Sequence, residues 1–556
     1  MATIAETDVP ASASAVLAHW RALLAEVHRQ LHALAAHPAR SVVLLPYAQL
    51  MPLAARLWAA QCPDGFAPRF ETTRTWAERA GLFTPGPTDL SGDHGRDLLT
   101  ATSLLEAAGL GAQRQHLAGP LLEQARQLAG VAASLPPALR TDWAERARAA
   151  LPAPGEGPMA LEAALGRIAL AWAGTSDYAT DVLFGPRVGD ALDALFIVPG
   201  LQPDPLTAHL AEHCFEKAVL LPWPAGAPAG DVALHACADG EDEAERAAAC
   251  VLAHLAQGRA PVALAAGDRV LTRRISALLA ARGVRLRDEP GWKLSTTHAA
   301  AQVVALLRAA ARGASADAVL DWLKLAPDVD AAALRVLDRL LRRHGVRGWV
   351  EAAARTVEQP LTARVEALRA ALQPARPLPD WLAALREALA AFGAWQPLRL
   401  DAAGAAVIEA LGLASDADWS AWPAARRRMA LHEFTRWATD TLEAGSFHPP
   451  HPAGAQVVVL PMSQLLGRPF AALVLPGADE QRLPAAPEPS GPWSAAQREL
   501  LRLPSREELR DAQQAAWQLA LAVPQVDVLW RQGDDSGEPL LPSPLVQALQ
   551  FQELPA

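Results

Sequence analysis

The fold class is decided by one stretch, residues 231–289, which reads DVALHACADGEDEAERAAACVLAHLAQGRAPVALAAGDRVLTRRISALLAARGVRLRDE. Three short strand-like runs, VALHAC, PVALAA and VRLRDE, alternate with two longer segments whose apolar residues recur at helical spacing. This order, with short turns between the elements, is typical of a parallel sheet flanked by helices. We therefore predict an α/β domain that starts after the Pro/Gly-rich linker PAGAPAG at 224–230.

The strands of this domain resume much later in the chain. Residues 298–445 keep a helical pattern, and strand patterns return in AQVVVLPM (455–462), AALVLPG (471–477) and VDVLWR (526–531). We predict a single split domain made of 227–297 and 450–556. A helical domain, 298–449, is inserted in its middle.

The first part of the chain has a similar organisation. Buried-strand patterns occur in SVVLLPYAQL (41–50), ALDALFIVP (191–199) and AVLLPWP (218–224), and helical patterns cover 12–38, 49–60 and about 94–180. We predict a first α/β domain over 1–226 with a helical insertion at about 94–180. The predicted fold class is α/β, with two parallel-sheet, motor-type domains that carry large helical insertions and are mostly helical overall.

The composition restricts the functional classes. The formal net charge of the 556 residues is −10, which argues against a protein that coats nucleic acid with its whole surface. The four cysteines form no C-x-x-C pair and fit a reducing compartment. The N-terminus has no basic segment before an apolar core, and no apolar run reaches about 20 residues, so we predict neither a signal peptide nor a membrane span. We expect a cytoplasmic protein.

A nucleotide-driven motor needs a phosphate loop, GxxxxGK[ST], in which a lysine neutralises the phosphates. The chain has three lysines, and the residues before them are Glu216, Trp292 and Leu323, so none follows a glycine. The acidic pair that would hold magnesium is also missing, because the strand at 191–199 ends in Val-Pro-Gly at 198–200. We therefore expect no ATP binding and no cofactor.

Nuclease and metal motifs are missing as well. A PD-(D/E)XK nuclease needs an acidic residue two positions before a lysine, where this chain has Phe215, Gly291 and Trp322. His209 and His213, four residues apart with Cys214 adjacent, have the spacing of zinc ligands on a helix, but a solvated helix face is the better interpretation. We predict no catalytic residue and no metal ligand.

Arginine placement is the positive signal. Arg269, Arg273 and Arg274 open a helix directly after PVALAA, Arg468 precedes AALVL, and Arg531 follows VDVLW. Ligands of open α/β sheets bind at the carboxyl ends of the strands, where guanidinium groups can hold phosphates. The alternative is a set of ordinary ion pairs with neighbouring carboxylates, namely Asp268, Asp288, Asp479, Glu480 and Asp534. The clusters RRHGVR (342–347) and RRR (426–428) are interpreted as solvated helix faces, with contact to a DNA backbone as the alternative.

The chain resembles superfamily 1 helicases of the AddB and RecC type over roughly 60% of its length. The motifs that carry the resemblance are ADGEDEAERAAACVLAHL (238–255), PVALAAGDRVLTRRISALLAARGVRLRDEPGWKLSTT (261–297) and SQLLGRPFAALVLPGADEQRLP (463–484). The last stretch fits a family pattern through Gly467, Phe470, Val474, Leu475, Gly477, Glu480 and Pro484. Thr296 and Thr297 are the last two residues of the motif at 261–297. Together with the five arginines at the sheet edges, they are candidate contacts to DNA or phosphate.

The resemblance implies two RecA-like domains. In active relatives a His and a Lys precede the glycine of the last motif, whereas this chain has Met-Ser-Gln-Leu-Leu at 462–466. The resemblance is therefore to inactivated helicases, which serve as channels for single-stranded DNA and as platforms for partner proteins. It implies a double-strand-break repair complex with single-stranded or end DNA and an AddA/RecB-like helicase-nuclease partner.

Three hypotheses follow. The first is a non-catalytic, helicase-like subunit of a recombinational DNA-repair complex. The second is the helicase-like portion of an ATP-dependent exonuclease of the AddB type, whose PD-(D/E)XK nuclease domain is not in this sequence. The third is an α/β scaffold with no nucleic-acid role, which predicts that local carboxylates neutralise the arginines at the sheet edges.

Overall fold

The computed structural model describes residues 13–149, 151, 159–223, 230–265, 267–414, 418–451 and 454–552. The predicted linker at 224–230, and with it the predicted boundary at 226/227, lies outside the described residues except for Gly230. Two parallel sheets and many helices make up the described part, which confirms the predicted α/β, mostly helical fold class. No helix in that part is long and apolar enough to cross a bilayer.

The first sheet has four parallel strands in the order β2-β1-β3-β4. The strands are β1 (Ser41–Leu44), β2 (Arg69–Glu71), β3 (Ala194–Ile197) and β4 (Ala218–Leu220). All four residues of β1 and of β3 are buried, as their continuous apolar runs predict for a sheet covered on both faces. Strand β2 was not predicted, because only three residues form it and both of its ends are charged.

Nine helices precede the second sheet in the described part of the chain. They are α1 (Ala13–Ala33), α2 (Met51–Gln61), α3 (Thr73–Ala80), α4 (His94–Ala107), α5 (Arg114–Ala132), α6 (Pro137–Arg148), α7 (Ala160–Thr175), α8 (Pro186–Ala191) and α9 (Pro205–His213). Helices α4 to α7 form the predicted insertion at about 94–180. Helix α1 covers the first sheet with Trp20, Leu24 and Val27, which are fully buried.

The second sheet has six parallel strands in the order β5-β12-β11-β6-β10-β7. They are β5 (Asp231–Cys237), β6 (Val262–Ala265), β7 (Leu286–Asp288), β10 (Val457–Leu460), β11 (Ala472–Leu475) and β12 (Gln525–Arg531). The remaining two strands, β8 (Trp292–Lys293) and β9 (Ser446–Phe447), form an antiparallel pair where the chain leaves this sheet and returns to it. The two sequence segments thus form one sheet, as the strand patterns predict.

The later helices flank the second sheet or form the inserted helical region. They are α10 (Gly240–Ala256), α11 (Arg269–Ala281), α12 (His298–Ala310), α13 (Ala316–Leu325), α14 (Ala331–His344), α15 (Trp349–Arg355), α16 (Pro360–Ala371), α17 (Leu378–Ala391), α18 (Trp395–Leu400), α19 (Ala402–Ala410), α20 (Pro423–Arg426), α21 (Leu431–Ala444), α22 (Ala495–Leu501), α23 (Arg506–Leu521) and α24 (Pro544–Gln552). Asp239 and Asp268 cap α10 and α11 by accepting hydrogen bonds from backbone N–H groups in the first turns.

The two helical insertions share one hydrophobic core. Buried residues of α5, such as Leu121, belong to the same cluster as Val303 of α12 and Trp437 of α21. The indole Nε1 of Trp437 also donates a hydrogen bond to the carbonyl of Gly95, 3.0 Å away, at the start of α4. The helices therefore form one helical body that connects the two sheets.

Candidate functional site at the carboxyl edges of the two sheets

The carboxyl edge of the first sheet is in contact with a segment that leaves the second sheet. This segment, residues 461–470, follows β10 and is called the bridging segment here. The Tyr47 hydroxyl, just past β1, shares a hydrogen bond with the Ser463 side chain, and burial raises the pKa of that phenol. The indole Nε1 of Trp20 donates a buried hydrogen bond of 2.7 Å to the carbonyl of Gly467. The loops that follow β1 and β10 therefore meet.

Gly467 is the point of closest approach. Its φ of +68° lies in the left-handed region that favours glycine. A Cβ at this position would lie 3.1 Å from Cη2 of Trp223 and 3.4 Å from Cζ2 of Trp20. Trp20 and Leu50, which also adjoins Gly467, are essentially inaccessible to water. Aromatic and aliphatic side chains thus pack closely around Gly467, beside the loop that follows β1.

The carboxyl edge of the second sheet is occupied by four ionisable side chains, called the buried ion cluster: Glu243, Asp268, Asp479 and Arg482. The Arg482 guanidinium lies 2.5 Å from Glu243, 2.6 Å from Asp479 and 3.4 Å from Asp268. The side chains of Glu243 and Asp479 are 0% exposed. Each buried carboxylate thus has a charged partner, as burial of a charge requires.

The pKa values in the cluster follow from burial and charge. Burial raises the pKa of Glu243, although Arg482 and a 2.8 Å hydrogen bond from the Gly477 N–H act in the opposite direction. Burial acts to lower the pKa of Arg482, but Glu243 and Asp479 hold it above its ordinary value. The guanidinium is therefore charged and fully engaged within the protein. Arg482 was not among the predicted site residues, although it follows Asp479 by only three residues and pairs with it locally.

Four of the five predicted arginines are paired with carboxylates. Arg269 lies 2.7 Å from Asp288, and Arg468 makes two bonds, of 2.6 and 3.0 Å, to Glu289. The remaining pairs are Arg274 with Glu241, and Arg531 with Asp535 at 2.9 Å. This is the arrangement expected for local ion pairs, and these four side chains do not line a free cationic groove.

Arg273 differs from the other four. Its exposed guanidinium donates a hydrogen bond to Oγ1 of Thr296 and lies 5.3 Å from the centre of the Trp292 ring. No carboxylate within the described residues forms an ion pair with it. Thr297, the other predicted threonine, is buried and caps α12 by accepting a hydrogen bond from the Ala300 N–H. Arg273 and Thr296 are therefore brought together at the surface, whereas Thr297 has a structural contact.

The two arginine clusters of the helical body differ from each other. Arg342 on α14 is exposed and pairs with Asp338, 3.0 Å away, as expected for a solvated helix face. Arg427 in the RRR cluster is half-buried and pairs with Glu433 at 3.2 Å, so it ties α20 to α21. The solvated-face interpretation thus describes the first cluster better than the second.

Comparison with known proteins gives no family for this chain. No protein-family model matches it, and no curated protein is detectably similar in sequence.

Proposed function

We propose that this chain is a non-catalytic, helicase-like subunit of a cytoplasmic recombinational DNA-repair complex, with two RecA-like domains. One observation carries the proposal: the bridging segment of one parallel sheet packs into the carboxyl edge of the other. In a motor, that position between the two sheets holds the nucleotide. In this chain Trp20, Leu50 and Gly467 pack together at that contact, which supports a motor-derived protein that does not use a nucleotide.

The sequence supports the same proposal independently. No lysine of the chain follows a glycine, so the charge that would neutralise a bound phosphate is missing. Binding of single-stranded DNA would then serve to guide a strand towards an AddA/RecB-like helicase-nuclease partner. We expect no ATP hydrolysis by the purified chain, with or without DNA.

Arg273 is the proposed contact to the DNA backbone. Stacking on Trp292 and the bond to Thr296 hold its guanidinium in place. Since no carboxylate of the described residues neutralises it, its charge is available to a phosphate. Arg274 is the matched control, because it is adjacent on the same helix and also exposed but is engaged by Glu241.

The experiment is a fluorescence-anisotropy titration of a labelled single-stranded oligonucleotide at several salt concentrations. We expect Arg273→Ala to weaken binding and to reduce the slope of log K against log salt by about 1, the loss of one phosphate contact. Arg274→Ala should leave both quantities close to those of the unmodified protein. Equal effects of the two substitutions would contradict the assignment of Arg273.

A second candidate function is an α/β scaffold with no nucleic-acid role. The observation that favours it is the pairing of Arg269, Arg274, Arg468 and Arg531 with carboxylates. The same titration separates the two functions. Absence of salt-sensitive binding, even with an AddA/RecB-like helicase-nuclease added, would reject the DNA-binding proposal and leave the scaffold.

A further inference from the structure

A cluster of metal-binding side-chain types lies on the face of the second sheet that α10 covers, at strands β5 and β12. Asp527 is on β12, His235 is on the adjacent strand β5, and Cys250 and His254 are on α10, which covers that face. Cys250 and His254 are four residues apart, so both project from one side of the helix. The cluster is therefore built from three elements that pack against one another.

The contacts within the cluster are short. Nε2 of His235 lies 2.7 Å from Oδ1 of Asp527, and Nε2 of His254 lies 2.7 Å from Oδ2 of the same carboxylate. Potential ligand atoms of His235, Cys250 and Asp527 all lie within 4.8 Å of one another. A cavity of about 220 Å³ adjoins them and is lined in part by Cys250, His254 and Asp527.

His254 is arranged to position Asp527 rather than to bind a metal. Nε of Arg259 donates a hydrogen bond of 2.9 Å to Nδ1 of His254. Because Nδ1 is an acceptor, the ring carries its proton on Nε2 and donates it to Asp527. A second partner that orients a metal-binding carboxylate in this way is a common feature of metal sites.

We propose that His235, Cys250 and Asp527 bind one Zn²⁺ ion, with a fourth coordination position open to the cavity. Imidazole nitrogen, thiolate sulfur and carboxylate oxygen are the donor types that Zn²⁺ takes in proteins. On binding, the imidazole proton that His235 shares with Asp527 moves from Nε2 to Nδ1, so that Nε2 is free to bind the metal. The thiol proton of Cys250 is released to solvent as the Zn–S bond forms. Three protein ligands and an open position are typical of zinc sites that bind an exogenous ligand. The inference is independent of DNA binding at Arg273.

The experiment uses the full chain, freed of metal by chelator and titrated with Co²⁺ as a spectroscopic probe and with Zn²⁺ as competitor. We expect one Co²⁺ per chain and a sulfur-to-cobalt charge-transfer band, which Zn²⁺ removes and Mg²⁺ does not. Cys250→Ser should abolish the band. Cys62→Ser is the matched control, because Cys62 is also half-buried and lies 3.7 Å from a histidine nitrogen, in His28.

Folding is checked separately, since a substitution at a half-buried position can perturb the sheet. The melting temperature of metal-free Cys250→Ser is compared with that of the metal-free unmodified protein, and Zn²⁺ should raise only the latter. His254→Gln should keep the band but weaken Zn²⁺ binding about 10- to 100-fold. Absence of a saturable one-to-one complex, or a band that persists in Cys250→Ser, would overturn the proposal.

Discussion

The carboxyl edges of the two sheets are filled by opposite chemistry. At the first sheet, Trp20, Leu50 and Gly467 form an apolar contact that contains one hydrogen bond. At the second sheet, Glu243 and Asp479 are as deeply buried but depend on the guanidinium of Arg482. An apolar contact is stabilised by the area that it removes from water, whereas a buried ion cluster is stable only while its charges remain matched. The same topological position can therefore be occupied by side chains that respond very differently to mutation.

The largest effect is expected for Arg482→Met. Loss of the guanidinium leaves the buried Glu243 carboxylate without a counter-charge and leaves Asp479 with only Arg531, 3.8 Å away. This should lower the free energy of unfolding by about 3–5 kcal/mol. Urea denaturation followed by circular dichroism measures this free energy of unfolding. The double substitution Glu243→Gln with Arg482→Met should cost less than the sum of the two single changes. A loss below about 1 kcal/mol for Arg482→Met would show that the cluster is more hydrated than its burial indicates.

A smaller effect is expected for Trp20→Phe at the first edge. The substitution keeps an aromatic ring but removes the donor to the Gly467 carbonyl, which should cost about 1–3 kcal/mol in free energy of unfolding. Trp58→Phe is the control, because Trp58 is equally buried but its indole bond, to the carbonyl of Phe66, is longer at 3.3 Å. If both substitutions lower the free energy of unfolding by the same amount, the hydrogen bond from Trp20 to Gly467 does not stabilise the contact with the bridging segment beyond the packing of the ring.

No measurable change in stability is expected for Arg274→Ala. The pair with Glu241 is at the same sheet edge as the buried ion cluster, but its side chains are 49% and 52% exposed. Water and salt screen such pairs, and both long side chains lose conformational freedom on pairing. The same denaturation experiment at low and high salt measures it. A clear, salt-sensitive loss of unfolding free energy in Arg274→Ala would mean that exposed ion pairs also stabilise this sheet edge. The difference between Arg274→Ala and Arg482→Met would then be smaller than we expect.

Most strands of the two parallel sheets, and the split of the second sheet, were predictable because buried parallel strands give continuous apolar runs, whereas the short strand β2 with its charged ends was not. The common core of the two helical insertions was not, since no local pattern indicates that Leu121 and Trp437 belong to one cluster. The arginine positions at the helix and strand ends were also predictable, but their partners were not, because Arg468 and Glu289 are 179 residues apart. The presence of neighbouring acids in the sequence left both interpretations of these arginines open.

The cluster of His235, Cys250, His254 and Asp527 was likewise only partly predictable from the sequence. Its local part, Cys250 and His254, is visible in the sequence, because an i, i+4 spacing places both side chains on one side of a helix. The contact between His235 and Asp527 could not be predicted from the sequence. The two residues are 292 positions apart and come together only because β5 pairs with β12.

That pairing has a consequence for how the protein is made. Strand β5 lies at the edge of its sheet and pairs with β12, through a register that runs from Asp231–Gln525 to Cys237–Arg531. During synthesis on the ribosome, β5 is therefore made almost 300 residues before β12, the strand with which it pairs. Closing so long a loop is slow, and an unpaired edge strand is prone to association with other chains. We expect the second sheet to complete its assembly only after synthesis of the described C-terminal helices and strands.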